Sequence, residues 1–325
     1  LGGLAALCAV SLYVLAALTR NWIWLLPGVI LLGMAFNADP AMNSLVAESV
    51  HVNRRAIAFS VVLASWTVPG IFVPPLSGFI AGWWGFAPVF LLRIGLEFVR
   101  LGLIIWFVRE TLLVGMGGGR GMFLTDVRGM LGRLARPPRE LRGFYWAMAT
   151  DSFAWGLGLA LLFGMLNEAY GFTTFQLGVM SSAIALVTAL SQMPAGRLIE
   201  RYGPRPMLVL AEVAGILAVV GWLLSRDFLT FTLTYALFGL GISPWMPAQM
   251  ALLANSVSEE ERGEAMGRLA AFKGLVAFPA PYLGGLLYDR FGFDAPILAN
   301  LVCLIIPMTL LLLAVRNPSA VEHSL

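Results

Sequence analysis

Three ionisable residues, Asp39, Asp151 and Lys273, lie inside long apolar runs of this 325-residue chain. Within a bilayer each such group costs about 3 kcal/mol at mid-depth, so each marks a candidate position for binding a solute or an ion. Trp155 shares a helical face with Asp151, and Gln249 follows Trp245 by one turn. Trp66 belongs with this set because an internal repeat, set out below, makes it the counterpart of Lys273. Acids beside indoles suit a cation or an aromatic body. For each of the three charges, a structural ion pair between helices remains the alternative. Arg93, Glu97 and Arg100 differ, because spacings of four and three on one helix favour a self-neutralising pair. Glu212, near the end of another apolar run, reads as structural.

Other chemistries find little support. His51 and His323 have no cysteine or second histidine at ligand spacing, so no metal site is expected. Cys8 and Cys303 sit in apolar stretches and read as small core residues. There is no zinc-binding histidine pair, phosphate loop or nucleophile elbow. Neither enzymatic activity nor a cofactor is expected.

The elements that position these residues follow from composition. The chain is 59% hydrophobic and 12% charged, with a mean hydropathy of +0.84. Soluble domains carry about 25% charged residues, which excludes that class. In lipid the backbone must satisfy itself within helices or a closed barrel. The apolar runs are continuous and about twenty residues long, which specifies helices. The net charge of +3 is arginine placed in short loops, so it sets orientation and does not point to nucleic acid.

Ten spans are expected, near 1–18, 22–48, 56–82, 84–108, 144–166, 174–195, 206–225, 229–256, 264–288 and 294–315. The chain opens within a hydrophobic run that lacks signal-peptide features. It reads as a span whose upstream sequence is missing. If that span runs outward, the connections 49–55, 109–143, 196–205 and 257–263 and the tail are cytoplasmic. They hold fourteen arginines, against Arg20, Arg226 and Arg290 outside. This is a strong positive-inside bias. The long 109–143 connection divides four spans from six. Within it, a run from Thr125 with Val127, Met130, Leu131 and Leu134 on one face suits an amphipathic surface helix, or else a solvated linker.

An internal repeat sets the architecture. Residues 40–86 laid over 247–293 without a gap match at 14 of 47 positions, including Pro40/Pro247, Arg55/Arg262, Pro74/Pro281, Gly78/Gly285 and Gly85/Gly292. Shared turn and polar residues carry the match, which apolar bias does not explain. Parallel repeats of this kind form two helical bundles with a substrate path between them. Residue 1 aligns with Leu208 while the second half starts near 144, so about 208 − 144 = 64 residues are expected upstream.

The stretch Gly196-Arg-Leu-Ile-Glu200-Arg201-Tyr-Gly203-Pro-Arg205-Pro206 resembles the signature loop of the major facilitator superfamily, with Pro206 replacing the last base. Glycines there permit a tight turn and the bases anchor the cytoplasmic face. The hairpins around Pro40 and Pro247 also resemble those of that family. The resemblance implies an all-α membrane fold of two pseudo-symmetric bundles, with these ten spans corresponding to helices three to twelve. It divides the chain into 1–108, a central loop 109–143, a six-helix bundle 144–316 and a tail 317–325. It implies a multi-pass protein of the bacterial inner membrane, expected to be a monomer. It also implies a secondary transporter of small solutes working by alternating access, of efflux type, with protons or sodium as candidate coupling ions. Gly196, Glu200, Arg201, Gly203 and Arg205 would form its gating loop, with Glu200 latching near Arg54 and Arg55. Two departures stand out. The family's intramembrane arginine would fall near Val29, and its antiporter pattern is degraded around Pro69, Val73, Pro74, Ser77 and Gly78. A non-transporting membrane sensor, a gene remnant and an integral membrane enzyme are the competing readings.

Overall fold

The computed structural model describes residues 2–36, 55–107, 137–257 and 262–315. Its described residues are almost wholly helical. Helix α1 spans Gly2–Thr19, and after a 3-10 turn at Trp22–Trp24, α2 spans Leu25–Phe36. Helices α3 (Arg55–Trp84) and α4 (Phe86–Phe107) are separated by Gly85 alone, whose φ of +80° makes the turn. The next span is broken into α5 (Arg142–Gly158) and α6 (Leu162–Tyr170), followed by α7 (Thr174–Tyr202), α8 (Pro204–Leu224) and α9 (Phe228–Ala254). A second broken span, α10 (Arg262–Ala277) with α11 (Ala280–Phe291), precedes α12 (Asp294–Leu313). Among the described residues, helix is present in each of the ten expected spans, that over 22–48 being described through Phe36.

Among the described residues, six segments are long and apolar enough to cross a membrane: Arg142–Tyr170, Thr174–Tyr202, Pro204–Leu224, Phe228–Ala254, Arg262–Phe291 and Asp294–Leu313. Their outward faces carry large apolar side chains such as Leu190, Met193 and Phe278. That is stable only where lipid is the solvent.

The chain forms two compact units, residues 1–117 with 173–179, and residues 118–172 with 180–325. In the first, α1 packs on α2 and α4, and α3 on α4. Tyr13 of α1 meets Phe90 of α4 with ring centroids 5.6 Å apart. In the second, α8 lies along α9, while α5 is held by α10, α11 and α12. Two core layers close this unit. One centres on Tyr145, Phe272, Leu252 and Leu269. The other is a ring cluster of Tyr170, Phe172, Phe231 and Phe293.

Three features depart from the linear reading. The predicted loop 196–205 is mostly helix, because Arg197 to Tyr202 are adequate helix formers and Gly196 lies in the interior of α7. The turn falls on Gly203 alone, at φ 85° and ψ 165°, a region open almost solely to glycine, and Pro204 then opens α8. The span expected over 144–166 is interrupted. Leu161 and Leu162 donate to the carbonyls of Gly158 and Leu159 at 3.3 and 3.2 Å, and Asn300 Nδ2 donates to the Ala154 carbonyl at 2.8 Å. The span expected over 264–288 is interrupted at Phe278-Pro279, where proline supplies no amide donor to carry the ladder on.

Candidate functional site

The second unit holds an open-mouthed cavity of about 250 Å³ between α5, α8 and α9. Asp151, Trp155 and Leu159 line it from α5, Ala211 and Glu212 from α8, and Phe238, Gly241, Ile242 and Trp245 from α9. The 3.6-residue period puts Asp151, Trp155 and Leu159 on one face. Glycine brings the walls close. A Cβ on Gly215 would lie 2.8 Å from the Trp155 ring, and one on Gly241 would lie 2.9 Å from the Ala211 carbonyl oxygen. The small side chains therefore set both the helix spacing and the position of the indole.

Asp151 is 3% exposed. Its Oδ1 accepts a hydrogen bond from Trp155 Nε1 at 2.7 Å. The Trp155 ring packs on Phe238 with centroids 4.3 Å apart and edge-on against Trp222 at 6.2 Å. The indole is thus fixed by packing while its N–H orients the carboxylate. Glu212, 2% exposed, pairs with Asp151 carboxyl to carboxyl through a side-chain hydrogen bond.

Lys273, on α10, interacts electrostatically with Asp151. Its Nζ donates to Gln249 Oε1 at 2.9 Å, and Gln249 is 2% exposed. Two buried acids, one ammonium and one amide therefore form a connected polar group inside an apolar unit. Such a group can hold a cation or exchange partners as charges move.

Of the residues singled out in the sequence, the structure brings Asp151, Trp155 and Trp245 to one cavity and joins Gln249 to Lys273 beside it. Asp39, Arg54 and the side chain of Trp66 lie outside the described residues. Glu212, expected to be structural, lines the cavity. Leu208, Val209, Gly215 and Ile216 occupy the positions three and four residues away, so no base within one turn of its own helix neutralises it. Glu97 behaves as its spacing suggested, except that its partner is Arg100, with Nε 2.8 Å from Oε2.

The expected gating stretch has a defined geometry at its far end. Arg205 donates from Nε to the Leu311 carbonyl at 3.0 Å and from Nη2 to the Leu312 carbonyl at 2.6 Å. It thereby fastens the start of α8 to the last carbonyls of α12, a favourable place for a cation. The Arg201 guanidinium lies 5.2 Å from the centre of the Tyr202 ring.

Comparison with known proteins identifies the family and the fold. The model of the Major Facilitator Superfamily matches residues 144–324, more than half the chain. The multidrug resistance protein MdtG of Salmonella paratyphi C is 25% identical over 272 residues, 82% of this chain and 65% of that protein. MdtG of Klebsiella pneumoniae is 24% identical over 297 residues, 89% of this chain and 70% of that protein. The chain thus spans about two thirds of the length of these relatives. Among solved structures, a bacterial homologue of the human lysosomal transporter Spinster, inward-facing and unoccupied, superposes with a TM-score of 0.69 at 17% identity, covering 98% of this chain and 82% of that one. The human organic anion transporter MFSD10 does so with a TM-score of 0.64 at 20% identity, covering 95% and 76%. Both share the fold.

Proposed function

The chain belongs to the Major Facilitator Superfamily, and we propose that it is a secondary transporter of small solutes that works by alternating access. The observation that carries this reading is the buried group of Asp151, Glu212, Trp155, Lys273 and Gln249. A purely structural unit gains nothing from two acids paired in its interior, where desolvation penalises their charge. A transporter needs such groups at mid-membrane to bind cargo and to exchange charge partners between states. The likeness to multidrug resistance proteins supports export as the direction.

In this reading residues 1–108 and 144–316 form the two bundles, with 109–143 cytoplasmic by its arginine content and the tail 317–325 placed on the same side by Arg316 just before it. Asp39 and Trp66 complete the solute path. The stretch from Gly196 to Arg205 acts as the cytoplasmic hinge, with Gly203 as its turn. A proton is the coupling ion best suited to paired carboxylates, which cannot both stay charged at close range without a cation.

The test is flux through the purified protein reconstituted into liposomes. An imposed pH gradient should drive solute movement that Asp151→Asn abolishes without loss of the folded protein. Gradient-independent leakage equal in wild type and variant would refute transport.

A further inference from the structure

We infer that α6 is a hinged flap over the outer end of the cavity, turning on the break after Gly158 and caught by the ring contact of Phe163 with Tyr235. The role of such a flap rests on the transport reading. Its motion does not.

The hinge is a place where the helical ladder is interrupted and other helices hold it so. The Trp155 carbonyl accepts from the Leu159 and Ala160 amides at 3.0 and 3.4 Å. Leu161 and Leu162 then turn to carbonyls three residues back, at 3.3 and 3.2 Å. The carbonyls of Gly156 and Leu157 thereby lose the amides that an unbroken helix would bring them. The Leu157 oxygen lies over Gly284 of α11, where a Cβ would otherwise stand. A Cβ on Gly156 would lie 2.7 Å from that of Ala280, so the break also sits against the second broken span.

From α12, Asn300 donates to the Ala154 carbonyl at 2.8 Å. Helices α11 and α12 both pack along α5 and so supply a fixed seat. Asn300 is 0% exposed, yet its Oδ1 has no donor among the described residues. Buried acceptors are seldom left bare, so the bent arrangement is not the one that satisfies Asn300 fully.

The flap itself is attached differently. Among the described residues, no helix packs its backbone closely along α6. Its holds are side chains. Phe163 meets Tyr235 of α9 with ring centroids 5.4 Å apart, and Tyr170 meets Phe231 and Phe293 at 5.1 Å each. Glu168 adds a side-chain hydrogen bond with Tyr288 of α11.

Position makes the Phe163–Tyr235 contact a catch. Leu159 and Phe238 line the cavity from α5 and α9. Phe163 lies four residues beyond Leu159, and Tyr235 three residues before Phe238 on a span that runs the other way. Both rings therefore stand about one turn outward of the cavity wall, on opposite sides of it. Swinging α6 away parts them and opens the cavity toward the side opposite the arginine-rich loops.

The experiment measures distances between spin labels by pulsed electron resonance, on protein in lipid nanodiscs that also carries Cys8→Ala and Cys303→Ala. One pair joins Ala169→Cys, at the tip of α6, to Leu229→Cys at the start of α9. The other joins Asp289→Cys on α11 to the same reference. All three positions are exposed. The first pair should show the distance of this structure and a longer one. Phe163→Ala and Asn300→Leu should each raise the share of the longer at least about fivefold, a shift that one ring contact or hydrogen bond can supply. The second pair should keep one distance in all three proteins, which a general loosening of the bundle would not allow.

A first pair with one distance, the same in all three proteins, overturns the flap. So does a longer distance whose share neither variant changes, or a second pair that shifts along with the first. Phe163→Ala leaves Asn300 in place, so the flap is tested even where Asn300→Leu does not fold. No solute or gradient enters the measurement, which keeps it separable from the transport reading. Flux with a rigid α6 leaves transport standing and removes the flap. Motion without flux does the reverse.

Discussion

Glu97 in the first unit and Glu212 in the second are both buried acids on apolar helices, 9% and 2% exposed. Glu97 has Arg100 one turn along its own helix at 2.8 Å. Glu212 has no base within one turn on its helix, and its carboxyl pairs with that of Asp151 on α5. The first is neutralised before any other helix packs against it, so its charge is settled locally. The second is paired with another acid from a different helix and faces a cavity lined by two indoles. In the proposed transport reading, what separates the structural acid from the functional one is whether a base lies one turn away on its own helix. Burial alone does not separate them.

The sharpest way to break the comparison is to remove each acid's charge. Glu212→Gln and Asp151→Asn should each cut the rate of solute flux at least about tenfold, roughly 1.4 kcal/mol of barrier. The melting midpoint of Glu212→Gln should stay level or rise, because one member of a buried pair of acids is replaced by a neutral amide. Arg100→Ala should do the opposite. It strands Glu97 in an apolar helix, so the midpoint and the folded yield should fall while flux per folded molecule is kept. A Glu212→Gln protein that melts early yet transports normally would place Glu212 with Glu97 as a structural group.

Trp155→Phe sharpens the same contrast. It keeps most of the ring stacking on Phe238 and removes the donor to Asp151. A hydrogen bond to a charged group contributes about 1.5–3 kcal/mol, so flux should fall roughly tenfold to hundredfold with a smaller change in melting. An unchanged rate would show that the Asp151 carboxylate needs no orienting partner.

Gly203→Ala tests the turn between α7 and α8. At φ 85° and ψ 165° a Cβ is strained, at a cost of about 1–3 kcal/mol. The midpoint should drop, and Gly196→Ala, inside α7 with open space around it, should leave it level or raise it slightly. Equal effects at both glycines would contradict the assignment of the turn.

These particulars show which parts of the molecule a linear reading reaches. Helix positions were legible because lipid imposes long apolar runs, and every expected span carries helix. The two breaks were not called, although the Phe278-Pro279-Ala280-Pro281 sequence holds the cue for one. The other, after Gly158, depends on Asn300 reaching over from α12 to the Ala154 carbonyl, which no local pattern encodes. The helical extension to Tyr202 was hidden by a motif whose glycines suggested a loop. Asp151, Trp155 and Trp245 were found because charge and indole stand out in apolar sequence. Glu212 was assigned by the position of its span within the fold, and only the packing of α8 against α9 and the opening toward α5 shows which way it faces.

The smallest expected effect lies at the start of α9, where Asp227 offers a third kind of acid, exposed and fully satisfied. Its Oδ1 accepts from the Leu229 and Thr230 amides at 2.9 and 3.0 Å, and its Oδ2 accepts from Thr230 Oγ1 at 2.9 Å. The bond from the Thr230 amide, then that from its hydroxyl, holds the Asp227 carboxyl below the usual carboxylate range. A depressed folded value means that the cap's contribution is complete above the unfolded pKa of about 4 and is lost as pH falls through the lower folded value. Asparagine caps nearly as well but does not titrate. Asp227→Asn should therefore melt close to wild type at neutral pH and lose less stability than wild type on acidification below about pH 4. Melting curves of the two proteins that stay parallel through that range would show that the cap's charge adds nothing beyond its hydrogen bonds.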